Sequence, residues 1–413
     1  MKKAYVTKKL FDGIDNGYKE NIAILVEDNL ITELVRNDKI PSDFDIIDLG
    51  DLHVMPGMFD CHVHLVWNGS SHPKSVMINE STEMTAVRTA EHARQALLNG
   101  VTTVRDVGGR SEHVFAVRDA IEDGIIRGSR VIASGNPVIM TGGHVHEFGL
   151  EIDGPDEARK GVREMAKRGA DFIKVMASGG IYGKSEMPGQ PQMTVEELEV
   201  IVEEAHNFGM KVAAHAEGKK GIINALKAGV DTIEHGNLMD EDIAKEMAKN
   251  GTYIVPTIST FYYKAAFNEE LEGVPDYVLK KVKLIIDGSY KVLKYAKEFG
   301  IPIAAGTDDG ATAMPHGALF YELELYVHCG LTPYEALLSA TANAAKACDV
   351  DHELGTIEPG KKADFIGIVQ DPLENISALR EVDTVIKDGQ IEKKNSLGVE
   401  NIPDLSHLYI KNN

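Results

Sequence analysis

The 413-residue chain predicts an α/β fold, a (β/α)8 TIM barrel with a small β-sandwich domain formed by both termini, and three observations carry that expectation. Short apolar segments recur through the middle of the chain. Amphipathic helical stretches alternate with them and end in glycine, whereas both ends of the chain alternate apolar with polar residues. The strand candidates lie near 57–62, 101–106, 130–134, 171–176, 211–216, 230–235, 252–258 and 301–307, eight in all. A closed parallel barrel requires that number and that alternation with helices.

Taken in order, residues 1–55 read as hairpin strands in AYVTKKLFDG, NIAILVEDNLITELV and FDIIDLGDLHVMP, with turn residues between. From 56 onward the unit becomes a helix, a glycine and an apolar strand, the glycines being Gly100, Gly169, Gly209, Gly229, Gly251 and Gly300. Each is placed to stop a helix in the left-handed conformation. The clearest unit is TVEELEVIVEEAHNFGMKVAAHAEG, where Thr194 and Glu197 form a capping-box pattern and Gly209 precedes the strand VAAHA. The tail from about 355 returns to period two in GTIEPGKKADFIGIV and EVDTVIKDGQIEKK. The economical division is therefore a discontinuous β-sandwich, 1–55 plus 355–413, beside a barrel spanning 56–354. No low-complexity linker or solenoid repeat interrupts this pattern.

Composition narrows the class of function. A formal charge of −21 argues against nucleic acid as a partner, because that affinity rests on Lys and Arg neutralising phosphates. The N-terminus MKKAYVTKKLF lacks the apolar core of a signal peptide, and no stretch reaches the ~20 apolar residues of a membrane helix, so a cytoplasmic location and no membrane association are expected. Cys61, Cys329 and Cys348 follow no disulfide or zinc-knuckle spacing and are expected to be reduced. Alternation along the strand turns Cys61 away from its histidine neighbours and toward packing.

Six potential metal ligands stand in a fixed order where apolar strands run out into loops: His62, His64, Lys174, His215, His235 and Asp308. His62 and His64 form His-x-His, and alternate residues of an extended chain share one face, so two imidazoles can grip one cation. The remaining four close DFIKVMASGG, KVAAHAEG, VDTIEHGN and IPIAAGTDDG. In a barrel of this kind chemistry collects at the C-terminal strand ends, which is where all six fall. His53, His92, His113, His206, His328, His352 and His407 lie outside that pattern and read as hydrogen-bonded core residues.

The segments MPGMFDCHVHL, DFIKVMASGG, AAHAEG, IEHGN, AGTDDG and LGTIEPGKKADFIGI resemble the amidohydrolase superfamily over essentially the whole chain. They are most similar to its binuclear metal branch and to the imidazolonepropionase-like group that includes Xaa-Pro dipeptidases, or prolidases. The resemblance implies two divalent ions, with His62, His64 and Asp308 on the more buried one and His215 and His235 on the other. Lys174 would bridge both as a carbamate formed from CO2. Electrostatics agrees, since an ammonium between two cations is disfavoured and the neutral amine that remains can capture CO2. Zn2+ suits such donors best, although Mn2+, Co2+ and Fe2+ are accepted.

The implied activity is hydrolysis of an amide bond through a metal-bridging hydroxide, most naturally of dipeptides (Xaa-Pro or similar) or N-acyl amino acids. Asp308 is the candidate to take the proton from water and deliver it to the leaving nitrogen, with Asp309 as its rival. His144 matches a TGGH element whose histidine contacts the substrate carbonyl in prolidase-like relatives, and His146 is the weaker choice. The Gly- and Pro-rich segment ASGGIYGKSEMPGQPQM brings Tyr182 and Lys184 into consideration as parts of a lid. Arg105 and Arg110 offer planar forks for a carboxylate, although Arg105 paired with Asp106 is the preferred expectation. Glu217 departs from the aromatic residue or histidine usual in prolidase-like relatives and favours a basic or amine-bearing substrate, or another polar contact. The alternatives are a hydrolase of a cyclic amide, carbamate or lactone, a heterocycle deaminase, and a metal-free relative. Gly218 stands where deaminases place Glu or Gln and Lys174 is present, which disfavours the second, while the intact ligand set disfavours the third. The partner is a small-molecule substrate, and a homo-oligomer is expected from the relatives.

Overall fold

The computed structural model describes residues 1–266 and 274–394; the end of the expected terminal domain, 395–413, and with it His407, lies outside the described residues. Strands from both ends of the chain join one sheet in the order Gln390–Lys393, Val382–Lys387, Phe365–Ile368, His53–Pro56, Lys2–Leu10, Lys19–Glu27 and Leu30–Arg36. Asp45–Asp48 pairs with Lys2–Leu10 off that path. The two halves meet where Met55 pairs antiparallel with Ile366. Period-two alternation turns Tyr5, Ile24, Val54, Phe365 and Ile386 into one cluster, with the Tyr5 ring edge-on to Phe365 at 5.1 Å. Where the sequence predicts a sandwich, hydrogen bonding runs continuously through all eight strands.

Between these ends the chain alternates helices with parallel strands. Met58–Val63, Val101–Asp106 and Arg130–Ala133 form one parallel sheet. Leu150–Ile152, Val138–Met140, Ile173–Met176, Val212–Ala216, Thr232–His235 and Tyr253–Val255 form another, in that order. The first two of these strands were not foreseen, because three residues are too few for alternation to register. The eighth expected strand is irregular: Ile303 bridges Ile254 and Asp309 bridges Val63, with no regular ladder between them. Backbone bonds nevertheless flank it on both sides, from Ala304 N to Ile254 O at 3.0 Å and from Cys61 N to Ala305 O at 2.8 Å. The pleat fails where Asp308 takes φ +65°, a left-handed conformation that costs a non-glycine residue roughly 1–3 kcal/mol.

The helices start and stop as the sequence indicates. Thr194 accepts from Glu197 N while the Glu197 carboxylate accepts from Thr194 N, so both halves of the capping box are made at Val195–Asn207. Gly169, Gly229, Gly251 and Gly300 end their helices in the left-handed conformation. The apolar faces of these helices pack Val162, Ile201, Ile222, Met247 and Leu293 against Val104, Val175, Ala214 and Ile233 of the strands. Each such side chain contributes ~1.5–3 kcal/mol by leaving water.

Cys61 is buried, with its Sγ 3.7 Å from the Cys348 Sγ, and all three cysteines are free. His53, His92 and His113 are buried, but His206, His328 and His352 are exposed, a correction to their expected core placement. His206 sits at a helix end, where it pairs with Asp231 at 2.9 Å. Among the described residues no helix is long and apolar enough to cross a membrane.

Candidate active site

All six expected ligands converge on one pocket, brought there by strand register. His215 pairs with Glu234 and His235 with Ala216, one step apart in register, and the left-handed backbone of His235 at φ +73° breaks the alternation there, so the two ring centroids lie 4.8 Å apart. The irregular eighth segment is zipped to the first strand, from Asp308 N to His62 O at 2.7 Å and from His64 N to Asp309 O at 2.9 Å. Asp308 Oδ1 thereby lies 3.7 Å from His62 Nε2 and 3.4 Å from His64 Nε2. Gly306 permits the approach, since a Cβ there would lie 2.8 Å from the His62 Cβ. Lys174 is the second residue of its strand and is 1% exposed, which removes it from the ordinary surface lysines.

The far side of each imidazole decides which nitrogen is left for a cation. Gly108 O lies 2.7 Å from His64 Nδ1, and a carbonyl can only accept, so Nδ1 carries the proton and Nε2 is left with its lone pair. His62 Nδ1 is held by the Glu234 carboxylate at 2.7 Å, and His235 Nδ1 by the Thr257 hydroxyl at 2.6 Å. The His215 Nε2 is buried without a hydrogen-bond partner. Burial holds His62, His215 and His235 well below the usual imidazole range and pushes His64 down to about 3, so the rings are neutral donors. Burial also lowers Lys174 to about 8, against the pull of Glu234. Donor atoms of His62, His64 and Asp308 all lie within 4.8 Å of one another. This geometry, the unpartnered His215 nitrogen and the neutral imidazoles fit divalent cations.

Behind His62 lies a chain of buried charge that corrects one expectation. Arg105 does not pair with Asp106; it donates to Glu234 Oε1 at 2.8 Å and to Cys61 O at 2.6 Å. Asp106 instead accepts from Leu65 N and Gly108 N, tying down the loops that carry His64 and its partner. Parallel pairing explains the difference, because neighbouring strand residues point to opposite sides of the sheet. Neither Arg105 nor the half-buried Arg110 lines the pocket.

The rest of the pocket is built by loops. His144 stacks on His215 at 4.5 Å, and its Nδ1 is held by Glu186 at 2.8 Å. Gly180 gives it room, as a Cβ there would lie 2.5 Å from the His144 Cε1. Burial raises the Glu186 carboxyl, but the His144 charge and the amides of Gly180 and Gly183 outweigh it and hold Glu186 at about 2. Tyr182 and Glu217 line the pocket with Trp67, Val145, Met176, Ile181 and Phe261. Lys184, expected to reach a ligand, is exposed and absent from the lining, because its loop turns inward at Glu186 instead. His146 is half-exposed and contacts Gly143 O at 3.2 Å. Asp309 turns away from the pocket, its Oδ2 accepting from Gly317 N at 2.8 Å. Asp308 is raised to about 6 by burial, against Lys264 and Lys174.

Sequence reasoning missed Glu234, Glu186, Thr260 and Lys264. Lys264 is fully buried and donates to Thr260, whose hydroxyl also bonds Asp308. Its one visible signal is a lone cation inside the apolar run ISTFYYKAA. A larger cavity of about 800 Å³ lies at the opposite, N-terminal ends of the parallel strands, lined by Arg130, Asp171 and Lys211. It contains none of the six.

The chain matches the Amidohydrolase family over residues 53–391. It is 32% identical to the ochratoxinase of Aspergillus niger, across 92% of this chain and 84% of that one. A Xaa-Pro dipeptidase solved with methionine bound in its active site is 36% identical, with a TM-score of 0.88 over 95% of this chain and 99% of its own. A prolidase complexed with N-methylphosphonate-L-proline also superposes at 0.88, with 29% identity over 95% of this chain and 100% of its own.

Proposed function

Because the chain belongs to the amidohydrolase family, we propose that it is a dipeptidase or carboxypeptidase-like hydrolase of dipeptides, Xaa-Pro or similar, or of N-acyl amino acids. Its membership and its relatives make it a hydrolase of amide bonds acting on small molecules. The dipeptide reading is carried by one observation: His144 stands stacked on His215 in the same pocket as the six converging donors. The likeness to a Xaa-Pro dipeptidase and a prolidase supports it. The same reading takes 56–354 as a closed (β/α)8 barrel and 1–55 with 355–413 as its companion β domain. Backbone bonding that continues from Ile254 through the eighth segment to Cys61 supports closure.

His62, His64 and Asp308 would hold one cation and His215 and His235 a second, with a carbamate on Lys174 between them. Two divalent ions, Zn2+ fitting these donors best, would when bound supply Lewis-acid polarisation of a carbonyl and water acidified toward neutral pH. Asp308 takes the proton of the attacking water and returns it to the leaving nitrogen, a task suited to a carboxylate that faces the pocket beside His62 and His64. His144, held through Nδ1 by the Glu186 carboxylate, would donate from Nε2 to the carbonyl oxygen as the doubly protonated ring while negative charge builds there. Trp67, Ile181 and Phe261 wall the site and limit the water that competes for these contacts.

The test is a screen of dipeptides and N-acyl amino acids against protein loaded with Zn2+ or Mn2+, reading released amino acid. Free-acid substrates are expected to exceed their amidated analogues, because the group that pairs with the substrate carboxylate loses its partner in the amide. Equal turnover of both forms, or turnover of lactones, carbamates or ring amides alone, removes the peptidase reading and leaves the broader amide hydrolase.

A further inference from the structure

We infer that Glu217 receives a substrate ammonium group, so that the preferred substrates carry a free amine next to the scissile carbonyl, as an unblocked dipeptide does. The inference rests on the amide-hydrolase reading of this pocket and narrows it. Glu217 is 2% exposed and lines the pocket, yet its Oε2 has no hydrogen-bond partner. The residue is pinned at both ends of its peptide units: its N–H donates to Ser178 Oγ at 2.9 Å and its carbonyl accepts from Leu238 N at 2.9 Å. The next residue, Gly218, lies so close to Gly189 that a Cβ there would sit 2.5 Å from the Gly189 Cα. The carboxylate therefore has no short way out to solvent.

Protein cations do not complete it. Lys281 donates to Gly183 O and Lys264 donates to Thr260, so both attract Glu217 only through space and do not offset the burial and the Glu186 charge that raise its carboxyl well above the usual range. Glu186, the neighbouring acid, is already committed to His144, Gly180 N and Gln192. A buried carboxylate oxygen without a donor is costly, and an incoming donor removes that cost while it binds. An acid surrounded in this way discriminates against ligands that bring no donor, by the same logic that lets polar pockets reject analogues lacking one group.

Spacing selects which cation. Glu217 follows His215 by two residues, the interval that places side chains on one face of an extended chain roughly 7 Å apart. A substrate whose carbonyl faces His215 then carries its charge to Glu217 within a few bonds. An α-ammonium meets that limit, and its position is fixed relative to the scissile carbonyl, whereas the flexible side chain of a lysine or arginine must be ordered to bring its charge there.

The experiment uses the full-length metal-loaded protein and three versions of one dipeptide: free amine, deaminated and N-acetylated. The wild type is expected to prefer the free amine over the deaminated form by on the order of 10²-fold in kcat/KM, and Glu217→Gln to cut that ratio at least about tenfold. Binding gives a readout without turnover: a free amino acid should bind more tightly than its N-acetyl form by calorimetry, with the difference shrinking in Glu217→Gln and persisting in Glu217→Asp. A wild type indifferent to the amine, or a ratio unchanged by Glu217→Gln, overturns the inference. Failure to hydrolyse any of the three removes the peptidase reading, and the binding comparison still decides the ammonium contact.

Discussion

Asp308 and Asp309 are adjacent in sequence and face opposite ways because one backbone conformation separates them. Asp308, at φ +65°, faces His62 and His64, whereas Asp309 spends Oδ2 on the amides of Gly317 and Ala318. Asp308→Asn is expected to lower kcat by on the order of 10²-fold or more with little change in stability, and Asp309→Asn to lower stability first. Kinetics and thermal melts on both variants check this, and the opposite ranking moves the proton transfer to Asp309. Arg105 offers a second test at this scale. It and Glu234 are both essentially inaccessible, and removing one partner leaves the other charge buried. Arg105→Met should cost on the order of 3–5 kcal/mol in denaturant unfolding. Because Glu234 also orients His62, metal affinity should fall by roughly 10- to 100-fold in the same variant.

Among the elements, the helix Ile258–Ala266 carries both Phe261 of the pocket and Lys264 behind it. Its first amides, Ile258 N and Ser259 N, donate to the Glu322 carboxylate at 2.8 and 2.7 Å, so a distant helix supplies the cap. Burial raises Glu322 to about 7 despite those bonds. The native state thus holds this proton more tightly than the unfolded chain does. Its contribution is fully present below the unfolded pKa of ~4.3 and is lost as pH rises through about 7. The stability of wild type relative to Glu322→Gln should therefore fall between about pH 5 and 8. Urea midpoints across that range measure it, and a difference that stays flat with pH would show that Glu322 stays ionised when folded. The segment from Gly179 to Gln192 is the other element that shapes the site. Gly179 N donates to Gln190 O, Gln192 N donates to Ala177 O, and Lys281 and Tyr277 of the helix Asp276–Phe299 hold its carbonyls. Those contacts turn Glu186 inward and leave Lys184 outside.

For the whole molecule, the proposed binuclear site predicts its own stoichiometry. Saturated wild type should contain about two divalent ions per chain, and Lys174→Ala should lose most of them and regain some activity with added short carboxylates. Elemental analysis giving no more than one ion in the saturated wild type removes the binuclear reading. Chelation should also lower the melting temperature, since ions that bind only the folded chain stabilise it.

The strand positions, the helix caps and the order of the six donors were legible in the sequence because each depends on residues close along the chain. Alternation, capping and His-x-His spacing act over a few positions, so His62 and His64 on one face and Thr194 capping Glu197 need no knowledge of the rest. Partner choice is different in kind. Arg105 meets Glu234 across 129 positions and His144 meets Glu186 across 42, pairings set by which strands become neighbours and which loops fold over their ends. Burial decides the remainder: it makes a helix lysine at 264 part of the site and leaves one oxygen of Glu217 without a donor. Desolvation is a property of the assembled surroundings, so only the tertiary structure could single out those ordinary side chains as candidates for a role at the site.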